Sequence, residues 1–167
     1  MNQFSANYQR VMAIAPCTAG FGFIVLEGSE RLIDYGVKVV QGDKNSASLK
    51  KVADLIKYYQ PKVIALETPT DKACRRRQRV QELLREIAQL ASSKRIKIQS
   101  FSRSQIRKSF SPSNSFTKYQ IALTLAEQFS ELTVRLPAVR KPWMGEDKRM
   151  SIFDAAALAL THFLEEP

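Results

Sequence analysis

The hydrophobic period of this chain first changes between residues 40 and 49, and that change limits the folds open to it. Before it, Val11–Ala15 and Gly20–Leu26 are nearly continuous apolar runs. Leu32–Val40 then alternates, with Ile33, Tyr35, Val37 and Val39 opposing Asp34, Gly36 and Lys38. Continuous runs suit strands covered on both faces, and alternation suits a strand covered on one. The short turns between the three predict an antiparallel meander. After the change, Leu49, Val52, Ala53, Ile56 and Tyr59 recur at helical spacing. Asn45 or Ser46 is placed to cap that helix, and Gln60-Pro61 to stop it.

Strand and helix then take turns. Lys62–Leu66 reads as an apolar strand ending at Glu67-Thr68-Pro69. A helix over about Lys72–Ala91 offers Val80, Leu83, Leu84, Ile87 and Leu90 as its core face. Arg95–Phe101 is a fifth strand, with further helices near Ser104–Phe110, Ser115–Phe129 and Arg149–Leu164. The order predicts an α/β fold with a mixed five-stranded sheet: a three-strand antiparallel meander, two parallel strands, and helices on both faces. The 167 residues suffice for one core, read here as a single domain over 10–167 behind a polar tail at 1–9. If the first and fourth strands are neighbours, residue 15 and Glu67 end side by side, about 4.8 Å apart. Ligands favour that end of parallel strands, and side chains so placed can share a metal ion.

Charge is unevenly placed. Residues 1–70 hold 8 basic and 6 acidic side chains, residues 71–118 hold 13 and 3, and residues 119–167 hold 5 and 7, so the net +10 sits in the middle segment. Lys72, Arg75, Arg76, Arg77 and Arg79 crowd the start of the second helix, and Arg103, Arg107 and Lys108 extend the track towards Lys118. A localised basic field is the footprint of a polyanion binder, and arginine matches phosphate bidentately. The plain alternative is a solvated basic face. No aromatic side chain interleaves with the basic run, which favours duplex or branched DNA over a stacking platform for single strands. No apolar run reaches the roughly 20 residues of a membrane span. Cys17 and Cys74 have no metal-ligand spacing and read as free thiols in a reducing cytoplasm.

The last helix holds an acid in unusual company, Asp154-Ala-Ala-Ala-Leu-Ala-Leu-Thr-His162. Phe153, Ala156, Ala157, Leu160 and Leu164 form its packing side, with Asp154 on the flank and Ser151 one turn earlier. The alanines allow close approach to the sheet, which brings Asp154 towards Glu67. An acid there is costly unless paired, capping or metal-bound; the plain alternative is a favourable place on the helix dipole. His162 reads as structural, and Trp143 as an anchor for the loop before the helix.

In their order and spacing these segments resemble the RuvC family of Holliday-junction resolvases, within the RNase H-like fold. The resemblance covers about residues 10–164. It rests on Ile14-Ala15-Pro16-Cys17-Thr18 followed by Gly20-Phe21-Gly22, on Glu67 closing Ile64-Ala65-Leu66-Glu67, and on the Asp154–His162 pattern. Gln105-Ile106-Arg107 and Thr117-Lys118 fall where the family places basic residues near the scissile phosphate. The resemblance implies a homodimeric endonuclease for branched DNA that uses Mg²⁺ or Mn²⁺. Glu67 and Asp154 would be metal ligands, and Lys118 and Arg107 catalytic cations. Two family acids are missing: the first aspartate corresponds to Ala15, and a second, one turn before the helix acid, to Ser151. Glu146 and Asp147, just before the helix, are the further acids weighed; Asp147 would lie about 10.5 Å of helix rise from Asp154, too far to share an ion without a bend. The alternative is a catalytically silent protein of the same fold that binds DNA junctions or serves in an assembly. A sugar-kinase or actin-like ATPase shares the core topology but needs glycine-rich phosphate loops, for which Gly20-Phe-Gly22 is poor material.

Overall fold

A computed structural model describes residues 9–69, 78–111 and 116–165. The expected sites Lys72, Arg75, Arg76 and Arg77, along with Cys74 and the start of the second predicted helix, lie outside the described residues. Five strands form one sheet: β1 (Arg10–Cys17), β2 (Gly20–Glu27), β3 (Arg31–Val39), β4 (Val63–Glu67) and β5 (Lys97–Phe101), in the order β3-β2-β1-β4-β5. β1, β2 and β3 pair antiparallel, whereas β4 runs parallel to both β1 and β5. The mixed sheet expected from the sequence is present.

Side-chain alternation divides the core in two. Met12, Ile14, Phe21, Phe23, Ile64 and Leu66 face α1 (Lys44–Tyr59) and α2 (Gln78–Ser93). Val11, Ala13, Ala15, Ile24, Val63 and Ala65 face α4 (Lys118–Gln128) and α5 (Met150–Glu165). A short helix, α3 (Arg103–Phe110), follows β5 and packs Ile106 and Phe110 against the second layer.

Three local expectations are corrected. In β3 the register with β2 shifts between Val25 and Leu26, so that Leu26 faces Leu32 and Ile33 has no cross-strand partner. This bulge moves Ile33 to the α1–α2 side, while Leu32 joins Tyr35 and Val37 on the other. One extra residue reverses the alternation on either side of it. The cap of α1 is Asp43, whose carboxylate accepts from the Ser46 amide at 3.2 Å, not Asn45 or Ser46. The helix ends at Gln60, which takes the left-handed conformation (φ 48°) just before Pro61.

The third correction concerns α5, which is buried well beyond the expected stripe, whereas Leu164 is exposed. The sheet covers one side of it, and α3 and α4 cover the other, which suits a helix apolar nearly all round. From Met150 to His162, Asp154 is the single residue not buried.

Candidate nucleic-acid interface

The β1–β4 register brings the candidate positions together. Val11, Met12 and Ala13 pair with Val63, Ile64 and Ala65, and the same offset carried two residues further sets Ala15 level with Glu67. Odd-numbered residues of both strands face the α5 layer, so the two positions look towards Asp154. Ala15 is buried and pairs across to Gly22 of β2. Ser151 sits directly on Gly22. A Cβ there would lie 2.3 Å from the Ser151 carbonyl carbon and 2.4 Å from its Oγ. The hydroxyl itself donates to the Lys148 carbonyl at 2.6 Å. Positions 15 and 151 are thus packed shut with a methyl and a backbone-bonded hydroxyl.

The two remaining acids meet basic side chains. The Arg103 Nε donates to Glu67 Oε1 at 3.0 Å. The Lys118 ammonium lies 3.1 Å from Asp154 Oδ2 and donates to Glu146 Oε1 at 2.5 Å. Burial alone would lower the pKa of Lys118, but Asp154 and Glu146 outweigh it and hold the pKa above its ordinary value. Lys118 is therefore a fixed positive charge at neutral pH and not a proton acceptor. Capping boxes place both cations: Ser102 with Gln105 at the start of α3, and Thr117 with Gln120 at the start of α4.

Glu67, Asp154, Arg103, Arg107 and Lys118 ring a hollow of about 80 Å³, whose floor is Ile106, Ile121, Ala122, Phe153 and Leu158. Beside it runs a cleft of about 510 Å³, lined by the β1–β2 turn and by Lys44, Arg79, Arg103, Lys118, Lys148, Glu146, Asp147 and Asp154. Arg79 is held at the rim by Asn45, at 3.2 Å from Oδ1, and by the Cys17 carbonyl at 3.4 Å. Lys44 donates to the Thr18 carbonyl at 2.6 Å. Of the basic residues singled out in the sequence, Arg79, Arg103, Arg107 and Lys118 meet at these two hollows; Lys108 is exposed on α3 and lines neither. Lys44 and Lys148 were not singled out. They reach the cleft through contacts that no periodic pattern encodes.

Asp147 lines the same cleft but is engaged by Arg149. It accepts from the Arg149 amide and from Arg149 Nε through Oδ1, at 2.9 and 3.0 Å, and from the guanidinium through Oδ2 at 2.7 Å. These bonds hold its pKa at about 2. It precedes α5 and does not extend it. Among the described residues no three His, Cys, Asp or Glu side chains cluster as a metal centre requires. A pair of Mg²⁺ or Mn²⁺ ions does not fit the donor set that the RuvC resemblance implies: Ala15 and Ser151 stand at two of its acid positions, Glu67 and Asp154 are in ion pairs, and the nearby Glu146 and Asp147 are paired with Lys118 and Arg149.

Trp143, expected to anchor its loop, is 78% exposed. No described helix is long and apolar enough to cross a membrane.

No family model and no curated protein sequence matches the chain. Solved structures do. Thermus thermophilus RuvC superposes with a TM-score of 0.70 at 18% identity, over 93% of this chain and 94% of that one. The same protein in complex with a Holliday junction substrate gives 0.67 at 16% identity, over 93% of each chain. The yeast mitochondrial Holliday junction resolvase Ydc2 gives 0.61 at 14% identity, over 95% of this chain and 80% of that one. The chain has the RNase H-like fold of the RuvC resolvases.

Proposed function

We propose that the protein binds branched DNA in the basic cleft and does not hydrolyse it by a two-metal route. One observation carries this reading: the acids expected at positions 15 and 151 are replaced by buried Ala15 and Ser151, while Arg103 and Lys118 neutralise Glu67 and Asp154. A metal centre concentrates negative charge for cations to fill. Here the charge is balanced by the protein, and the surplus lining the cleft is positive. Likeness to a RuvC bound to a Holliday junction supports a branched substrate. From the resemblance in sequence pattern we also propose that the protein acts as a homodimer.

A second reading is that of a one-metal nuclease, favoured by Glu67 and Asp154 opening on the same hollow. One cation is held by one or two carboxylates and substrate phosphate in many such sites. It would require both carboxylates to leave their present partners.

The binding claim is tested by titrating a labelled four-way DNA junction at several salt concentrations. Replacing Arg79, which Asn45 and the Cys17 carbonyl hold at the rim of the cleft, with Met should weaken binding and reduce the salt slope by about 1, as expected for a lost phosphate contact. Affinity and slope both unchanged in the variant would remove Arg79 from the interface. No binding by the unaltered chain would refute the reading itself.

A further inference from the structure

The segment 138–146 projects from the fold. Leu136 packs against the core and Pro137 is buried, the Asp147–Arg149 pair closes the other end, and every residue between is exposed. At its tip a turn is closed by the Met144 amide donating to the Lys141 carbonyl at 3.0 Å, with Pro142 and Trp143 at its centre. Val139, Trp143 and Met144 are 66%, 78% and 50% exposed. Trp143 and Met144 are neighbours in this turn, and exposed apolar surface of this kind can mark an interaction site.

Its surroundings point to one kind of occupant. Arg140 and Lys141 precede the ring, and Lys148 follows it into the cleft. The Lys141 ammonium stands 5.4 Å from the centre of the Trp143 ring, a contact that orders the indole against one face. Glu146, bonded to Lys118 in the cleft, is three residues from Trp143. A chain advances at most about 3.6 Å per residue, so the tip lies within about 11 Å of the cleft lip. A flat, ordered, exposed ring among cations at the edge of a phosphate-binding groove suits a stacked base.

We propose that Trp143, with Met144 beside it, stacks on the base-pair face exposed where an arm ends at the branch point of the DNA held in the cleft. The inference rests on the cleft reading above and adds to it a contact with bases. The chain has one tryptophan, so its emission reports this contact alone.

The test titrates the protein with a four-way junction containing 2-aminopurine at the branch point. Tryptophan emission should be quenched, and the 2-aminopurine should change intensity as its stacking partner changes. Trp143→Ala should bind about 5- to 150-fold more weakly with the salt slope unchanged, and Trp143→Phe should restore most of the affinity. Junction bound with both signals unaltered, or Trp143→Ala at full affinity, would overturn the inference and leave the cleft reading intact. No junction binding at all would overturn both. Emission that changes with protein concentration alone, and not with DNA, would assign the loop to a second copy of the chain and overturn it.

Discussion

At the scale of single residues, the site is defined by what each charged group touches. Asp154 and Glu146 hold Lys118 in its charged form, and Arg103 partners Glu67. Asp147 offers a pH-dependent check on the loop that leads into α5. Its pKa is lowered from 3.8 to about 2, chiefly by the Arg149 side chain. A depressed carboxylate contributes stability above its unfolded pKa and loses it as pH falls through the folded one. Asp147→Asn should therefore cost stability at every pH above about 4, with the gap to the unaltered protein closing between pH 4 and 2. Urea melts across that range measure it; a gap independent of pH would show that the Arg149 pairing adds nothing. Residue types identified Glu67, Asp154, Arg79, Arg107 and Lys118 as candidates. Their pairing was not legible, because Glu67 meets Arg103 only through the turn after β5. The exposure of Trp143 was hidden for a related reason: a tryptophan between prolines and cations reads equally well as an anchor or as a probe.

At the scale of elements, close packing of α5 on β2 decides the geometry around Ala15. Gly22 has no room for a side chain, since Ser151 backbone atoms occupy the space of its Cβ. Gly22→Ala should therefore force the helix off the sheet and cost about 3 kcal/mol or more, beyond the usual range for one extra methyl in a core. Thermal denaturation would show it, and a loss under about 1 kcal/mol would mean that the helix docks with slack. β1, β2 and β4 were legible because their apolar runs are unbroken, and β3 and β5 because they alternate; that β4 lies beside β1 entered only as a condition, since the α1 connection starts from β3. The bulge at Ile33 was not, since an inserted residue leaves the alternation Ile33, Tyr35, Val37 looking regular in sequence. Nor was the depth of α5. A stripe read at helical spacing describes one covered side, and here α3 and α4 supply a second cover from distant sequence.

At the scale of the whole molecule, the fold is that of the RuvC resolvases, with Ala15 and Ser151 at two positions where the sequence resemblance implies acids. The sheet still delivers position 15 level with Glu67, and α5 still turns Asp154 into the same hollow. The frame was legible because strand and helix periods are local consequences of sequence; the charge balance across it depends on all the elements at once. Restoring the acid with Ala15→Asp places a carboxylate at a position now 3% exposed, which is costly unless a cation compensates it. The most direct measurement incubates a labelled four-way junction with Mn²⁺ and either the unaltered chain or Ala15→Asp, where both bind. The unaltered chain should shift the junction and release no cleaved strand. Strand cleavage by the unaltered chain, abolished by Glu67→Gln or Asp154→Asn, would contradict the account.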